Sequence, residues 1–168
     1  MADAEALIAF RQVITNEADN NIVWEPGEFN RTVEEEARLV EEIAAADNSI
    51  MLIVEVAGRI VGMLGCHGGK RRANRHSAAL GITLLKEYRG QGIGTRLMES
   101  VIEWAKGGGV LTRIELEVYP HNARAIHLYE KCGFVVEGVR RNAYIKSGRY
   151  RDVVMMALLF GQGRGEAE

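Results

Sequence analysis

The chain is poor in the residues that build metal centres and disulfide frameworks. Its only cysteines are Cys66 and Cys132, which are too few for a disulfide framework and lack the spacing of zinc ligands. Four histidines, at 67, 76, 121 and 127, also lack metal-ligand spacing. We therefore predict no metal cofactor. Both thiols lie in apolar-patterned segments, as expected of buried free cysteines in a reducing compartment.

Long hydrophobic runs and a charge excess of one sign are also missing. No run approaches the ~18 apolar residues that a spanning helix requires. Asp3 and Glu5 stand where a secretory signal would carry positive charge. The net charge of −2 provides no basic field for binding nucleic acid. These features predict a soluble cytoplasmic protein with neither a membrane nor a nucleic acid as partner.

The length and composition are those of one globular domain. The 168 residues are 47% hydrophobic and 26% charged, which allows one substantial core. We expect a single domain over residues 1–160. The glycine-rich, charged segment 161–168 is expected to be a frayed tail.

A glycine-dense stretch organises the chain. Residues 80–98 read LGITLLKEYRGQGIGTRLM, an apolar strand-like run, a glycine loop and the start of a helical pattern. Glycines let a backbone approach a ligand closely, and the first N–H groups of a helix have no internal partner. With the positive end of the helix dipole, such a loop can hold a phosphate or pyrophosphate. The alternative is a ligand-free glycine turn between strand and helix.

The loop does not match the common nucleotide signatures. The dinucleotide fingerprint fails because its third glycine position is Thr95, and no Gly-Lys-Ser/Thr follows to complete a Walker A motif. The pattern is instead Arg-x-x-Gly-x-Gly, formed by Arg89, Gly92 and Gly94.

A second motif narrows the choice of protein family to which the glycine loop could belong. Residues 122–134 read NARAIHLYEKCGF and follow a strand-like segment, 114–118. Together with the glycine loop, this stretch resembles the GNAT superfamily of acetyl-CoA-dependent N-acetyltransferases over roughly residues 50–159. The resemblance implies an α/β fold with a mixed, mostly antiparallel sheet flanked by helices. The family's first strand is apparently missing, because the helical pattern already starts at Ala4.

The resemblance also implies the residues that contact acetyl-CoA, the expected co-substrate. Pyrophosphate contacts fall on the loop Arg89, Gly90, Gln91, Gly92, Ile93, Gly94 and Thr95. Pantetheine contacts fall on the main chain of Ile82, Thr83 and Leu84, beside a neighbouring strand that splays away. Asn122 would hydrogen-bond the pantetheine arm, although it is also a good helix N-cap.

Direct acetyl transfer needs a deprotonated amine and benefits from an acid for the leaving thiolate. Tyr129 matches the family's general acid; its alternative is a core-packed tyrosine. Glu117 is the first candidate base, ahead of Glu115 on the same strand face, unless both face solvent or water acts as base. Cys132 is interpreted as a structural thiol rather than an acyl carrier.

The predicted acceptor is a primary amine of a small molecule or peptide. The sequence leaves open whether the protein forms a homodimer. Alternatives are a protein N-terminal or ribosomal-protein acetyltransferase, a non-catalytic acyl-CoA-binding module, and a nucleotide-binding domain of another kind. The resemblance implies that the acceptor site is lined by residues of the first loop and the last hairpin: Trp24, Glu25, Glu28, Phe29, Tyr144 and Tyr150. If Glu25 and Glu28 face the cleft, they would favour a cationic amine.

Periodicity and turn residues predict the order of helices and strands. Helices are expected at 4–18, from a Thr32–Glu35 capping box, at 95–106 and at 123–131; strands are expected at 50–56, 60–66, 76–85, 112–119, 134–141 and 150–159. The glutamates of the second helix are interpreted as a solvated face, or alternatively as an attraction for a cationic acceptor. The basic loop 67–75 is interpreted as solubilising, with contact to an outer phosphate as the alternative.

Overall fold

A six-stranded mixed sheet between two helical layers forms the protein in a computed structural model that describes residues 2–17 and 20–160. In chain order the elements are α1 Ala2–Asn16, α2 Val33–Ala45, β1 Ile50–Val56, β2 Arg59–Gly68, β3 Ser77–Leu84, α3 Ile93–Gly108, β4 Arg113–Val118, α4 Ala123–Lys131, β5 Val135–Lys146 and β6 Arg149–Leu159. The strand order is β1-β2-β3-β4-β6-β5, and only β3 and β4 pair in parallel. The predicted mixed, mostly antiparallel sheet is confirmed.

Strand alternation divides the interior into two cores. On β2, Val61 and Met63 face the layer of α1 and α2, where they pack with α1. Leu64 and Cys66 point the opposite way, towards α3 and α4. Successive side chains of a strand alternate between faces, so one strand serves both cores. We name the two sides of the sheet the α1 side and the α3 side.

Local signals place most helix ends correctly. The Thr32 hydroxyl accepts the Glu35 N–H at 3.2 Å, and the Glu35 carboxylate accepts the Thr32 N–H at 2.9 Å, so the predicted capping box is present. Helix α3 ends at Gly109, whose φ is +67°. Helix α1 ends at Asn16; Ala18 and Asp19, predicted as part of its end, lie outside the described residues.

The final hairpin is longer than predicted. Strand β5 continues to Lys146, although its sequence pattern suggested an end at residue 141. Pairing with β6 is interrupted between Arg140 and Tyr144, where Asn142 has a φ of +52°. A strand at the sheet edge is largely exposed to solvent, so residues 142–146 of β5 are mostly polar and did not show the pattern expected of a strand.

The segment predicted to be a frayed tail, 161–168, lies outside the described residues. Within residues 2–17 and 20–160, every helix is too short or too polar to cross a membrane.

Candidate active site

A gap in the sheet opens a large cavity. Strands β3 and β4 pair only where Ser77–Ala79 meets Arg113–Glu115, and β4 then stays with β6 up to Val118. From Leu80 to Leu84, the edge of β3 that faces β4 is therefore left without a strand partner, as expected from the predicted splay of the neighbouring strand. The cavity has a volume of about 1000 Å³, and residues from both sides of the sheet line it.

The glycine loop lies at one end of this cavity. Gly90 and Gly92 have φ angles of +85° and +81°, which glycine adopts without strain. The first hydrogen bond of α3 runs from the Arg96 N–H to the Gly92 carbonyl at 3.2 Å. The N–H groups of residues 93–95 precede this bond at the positive end of a helix of 16 residues. This geometry can hold an anion.

Of the predicted loop residues, five line the cavity: Arg89, Gly90, Gly92, Gly94 and Thr95. Gln91 and Ile93 contribute no lining, and the Gln91 amide instead donates to the Glu87 carbonyl at 2.7 Å. Arg89 borders the cavity but is engaged elsewhere. Its Nε donates to the Leu84 carbonyl at 2.8 Å, and its guanidinium pairs with Glu17 at 2.5 Å. The side chain therefore ties the loop to β3 and to the residue that follows α1.

Sequence reasoning missed Arg124 as part of this end of the cavity. A Cβ built on Gly90 would lie 2.7 Å from Nη2 of Arg124, so the guanidinium stands directly beside the loop. The position of Arg124 in the first turn of α4, after the Asn122 cap, was the available signal. Its positive charge adds to the anion-holding capacity of the loop.

Tyr129 and Asn122 project from α4 into the cavity wall. Tyr129 is 7% exposed, packs on Phe134, and its burial raises its pKa to about 12. The phenol is therefore protonated at neutral pH. The Asn122 side chain accepts the Ala125 N–H at 3.3 Å, so it caps the helix as predicted.

The two candidate bases are ion-paired. Glu115 and Glu117 face the side of β4 opposite to Leu116 and Val118, and both line the cavity. Glu117 pairs with Arg140 and accepts the Tyr144 hydroxyl at 2.7 Å, while Glu115 accepts Arg113 Nε at 2.9 Å. They are held by these partners at the cavity wall rather than standing free.

Two glycines leave room on the α1 side of the sheet. Gly65 of β2 and Gly81 of β3 are directly paired, so neither places a side chain between the sheet and α1. A Cβ on Gly81 would meet nothing within 4 Å. His67 lies on the same face of β2 as Gly65. Its pKa is lowered, mainly by desolvation and also by the positive charges of Arg11 and Arg31. A Cβ built on Gly65 would lie 2.7 Å from Nε2 of His67, so the imidazole covers Gly65 and the open space lies above Gly81. We call this open space the chamber.

The predicted acceptor-lining residues divide into two groups. Trp24, Phe29 and Tyr144 line the cavity, whereas Glu25, Glu28 and Tyr150 do not. The Glu25 carboxylate accepts the Ser147 N–H, and the Glu28 carboxylate accepts the Glu25 N–H at 2.7 Å. These acids make hydrogen bonds within loops, so the condition for the cationic-acceptor argument, that they face the cavity, is not met.

Of the two charged segments, the second helix differs from its interpretation, whereas the basic loop agrees with its interpretation as an exposed loop. Glu36 is fully buried between Arg11 and Arg31 rather than part of a solvated face. In the basic loop, Lys70 pairs with Glu42 at 3.3 Å, and Arg75 pairs with Asp47. Neither Lys70 nor Arg75 lines the cavity. Among the described residues, no three His, Cys, Asp or Glu side chains are grouped to hold a metal ion.

Comparison with known proteins agrees with this geometry. A model of the acetyltransferase (GNAT) family matches residues 18–134. An L-amino acid N-acetyltransferase of Escherichia coli is 32% identical over 117 residues, which is 70% of this chain and 72% of that protein. A [ribosomal protein bS18]-alanine N-acetyltransferase of E. coli is 42% identical over 72 residues, covering 43% of this chain and 48% of that protein.

A solved structure shows the same architecture over almost the whole chain. An acetyltransferase of the GNAT family from Streptococcus pneumoniae superposes with a TM-score of 0.89 at 32% identity, covering 95% of each chain. The fold, the glycine loop at the start of α3 and the family match agree, and the protein belongs to the GNAT family of acetyltransferases.

Proposed function

We propose that this protein transfers the acetyl group of acetyl-CoA directly to the primary amine of a small molecule or peptide. One observation carries the proposal: the cavity continues from the anion-holding loop at the start of α3, past Tyr129, into the chamber on the α1 side. Such a cavity lets a donor and an acceptor approach from opposite sides of the sheet. Holding two reactants in position supplies much of the catalysis in a direct transfer.

The cavity wall suits acyl-CoA as donor. The free N–H groups at the start of α3 and the nearby Arg124 would hold the pyrophosphate. The unpaired edge of β3 at residues 82–84 would accept the pantetheine arm as an added strand. Thr83 Oγ1 is buried without a hydrogen-bond partner among the described residues, as expected of a wall that a polar ligand completes.

Tyr129 and Glu117 would then handle the protons. The donor supplies an activated acetyl thioester. As the amine nitrogen forms the new C–N bond and the C–S bond breaks, one amine proton passes to Glu117, directly or through water. Tyr129 gives its phenolic proton to the departing thiolate and regains one from solvent. His67 is a second candidate base, because its lowered pKa keeps the imidazole neutral at physiological pH.

Asn122 would keep both of its proposed roles. Its side-chain oxygen is occupied in capping α4, so its amide nitrogen is the group left to donate to the pantetheine arm. A non-catalytic acyl-CoA-binding module would need the anion-holding loop but no chamber. The open space above Gly81 therefore favours an enzyme.

The test is release of free coenzyme A thiol from acetyl-CoA in the presence of an amine panel. The panel holds amino acids, amino acid amides, polyamines and peptides with free N-termini. Amine-dependent thiol release, with the acetylated amine identified by mass spectrometry, would establish the transferase and its acceptor class. Tight acetyl-CoA binding with no release for any amine would favour the binding module.

A further inference from the structure

A buried ionic cluster joins α1 and α2 beside the chamber. Glu36 is 0% exposed, and its two carboxylate oxygens accept Arg11 Nε at 3.0 Å and Arg31 Nη1 at 2.6 Å. Both guanidinium groups also lie near the Phe29 ring, with Cζ 6.0 and 5.8 Å from its centroid. Two positive charges share one negative charge, so the cluster keeps a surplus of one positive charge.

The two arginines differ in what else they reach. Arg11 lines the cavity, whereas Arg31 does not. Among the described residues, the only side-chain hydrogen bond of Arg11 is made through Nε, which leaves both terminal nitrogens available. The hydrogen bond from Nε to the Glu36 carboxylate fixes the orientation of the Arg11 guanidinium. A planar group with two parallel N–H donors is suited to a carboxylate.

Several other charges in the cavity wall are paired with neighbours, whereas Arg124 and Lys131, at the α4 end, make no ion pair among the described residues. Glu17 pairs with Arg89, and Arg113 pairs with Glu115 and Glu137. Glu117 pairs with Arg140. Arg113 and its two carboxylate partners keep a surplus of one negative charge, whereas Arg11 brings the surplus positive charge of its own cluster to the cavity wall. After burial, the charges of Arg11 and Arg31 both contribute to the lowered pKa of His67.

We propose that Arg11 binds a carboxylate of the acceptor, so that the preferred acceptors are amines that also carry a carboxylate group. This inference rests on the proposed function, since it concerns the acceptor end of the same cavity. The contact is a charge-assisted hydrogen bond in a partly dehydrated chamber. Arg11 is thus a specificity-determining residue, and Glu36 positions it.

The experiment compares kcat/KM for amino acids and for the matching amino acid amides. Wild-type enzyme is expected to prefer the carboxylate forms. Arg11→Met should lower kcat/KM for the carboxylate forms by about 10- to 100-fold while leaving the amides nearly unchanged. Comparing the acid-to-amide ratio of one enzyme with that of another at the same pH cancels the difference in amine pKa between the two substrates, because that difference affects every enzyme equally.

Arg31→Met is the matched control, because it removes the other partner of Glu36 without touching the cavity wall. It should retain the wild-type acid-to-amide ratio. Since Arg11→Met leaves Glu36 with one partner, the double variant Arg11→Met, Glu36→Gln supplies a second version with less uncompensated charge. Both versions should lose the preference for the carboxylate form.

Two outcomes would overturn the inference while leaving the transferase intact. One is equal use of acids and amides by the wild type, and the other is an unchanged ratio in Arg11→Met. Loss of the ratio in both Arg11→Met and Arg31→Met would also overturn it, because general disturbance of the cluster would then be the cause. Failure of every amine with wild-type enzyme contradicts the proposed function instead.

Discussion

Burial decides the chemistry of single residues in this protein. Dehydration raises the pKa of Tyr129 to about 12 and that of Cys66 to about 12, so both stay protonated at neutral pH. The two differ in access, because Tyr129 lines the cavity and Cys66 is enclosed in the core on the α3 side. A protonated group beside the gap in the sheet can act as an acid, whereas the enclosed thiol is inert.

Tyr129→Phe should lower turnover by about 100-fold and leave the dissociation constant of acetyl-CoA almost unchanged, because only the proton donor is removed. Turnover and equilibrium binding measured on the same preparation check this. Tyr150→Phe is the control, since Tyr150 is 67% exposed and lies outside the cavity wall. Undiminished turnover in Tyr129→Phe would leave Tyr129 as a packing residue.

Glu117→Gln should move the acidic limb of the pH–rate profile to higher pH. The base accepts a proton in its deprotonated form, so the rate rises with pH through its titration. Without it, the reaction depends on amine that has lost its proton to solvent, and amines have pKa values of about 10. Glu137→Gln, at another ion-paired glutamate of the cavity wall, should leave the limb in place.

The same profile distinguishes His67 from Glu117. If His67 is the base, the wild-type limb lies below pH ~6.5, because dehydration and nearby arginines lower the pKa of His67 below its ordinary value. His67→Gln would then move the limb and Glu117→Gln would not. A limb unmoved by either substitution would indicate water as the proton acceptor.

At the scale of elements, the start of α3 is the proposed binding site of the donor's pyrophosphate. Gly92 is the N-cap of the helix, with a φ of +81° and no side-chain cap, so the first N–H groups stay open towards the cavity. A Cβ on Gly92 would meet no atom within 4 Å. A substituted side chain would therefore project into free space at the anion-holding loop.

Gly92→Glu should weaken acetyl-CoA binding by at least about 100-fold, because a carboxylate would repel the pyrophosphate at close range. Gly109→Glu is a matched control at the other end of α3, with a φ of +67° and equally open surroundings. Both substitutions carry a strain of about 1–2 kcal/mol from the left-handed conformation. Calorimetric titration should show near-normal affinity only for Gly109→Glu, and equal affinity in both would contradict the assignment of the loop.

For the whole molecule, function depends on how two helical layers and a divided sheet fit together. Parallel pairing of β3 and β4 stops after Ala79, which connects the two sides of the sheet. The missing side chain of Gly81 then keeps the α1 side open above β3. Neither feature alone would allow a donor on one side to meet an acceptor on the other.

Gly81→Val tests the chamber directly. Its Cβ has open space and no positive φ, so the variant should fold normally while its isopropyl group fills the chamber. The KM for the amine should rise by at least about 10-fold, which corresponds to about 1.4 kcal/mol of steric exclusion. Gly138→Val, in an equally open place on β5 outside the cavity wall, should match wild type. An unchanged KM in Gly81→Val would move the acceptor elsewhere.

Local signals made most of the fold predictable. The Thr32 capping box, the Asn122 cap and the glycine loop each act over a few neighbouring residues, and the structure places all three as expected. Alternation along β4 likewise put Glu115 and Glu117 on one face. The end of β5 was misplaced because its edge position removed the alternating pattern.

By itself the sequence determined the order of elements, the glycine loop at the start of α3 and the family, since these depend on short-range geometry and on motifs. Only the tertiary structure decided which charges meet. Glu36 is 25 residues from Arg11, Glu117 is 23 from Arg140, and Glu17 is 72 from Arg89. Such pairs form when distant segments pack, and no local pattern encodes them. The surplus positive charge that Arg11 brings to the cavity wall, and with it the proposed choice of acceptor, follows from that packing.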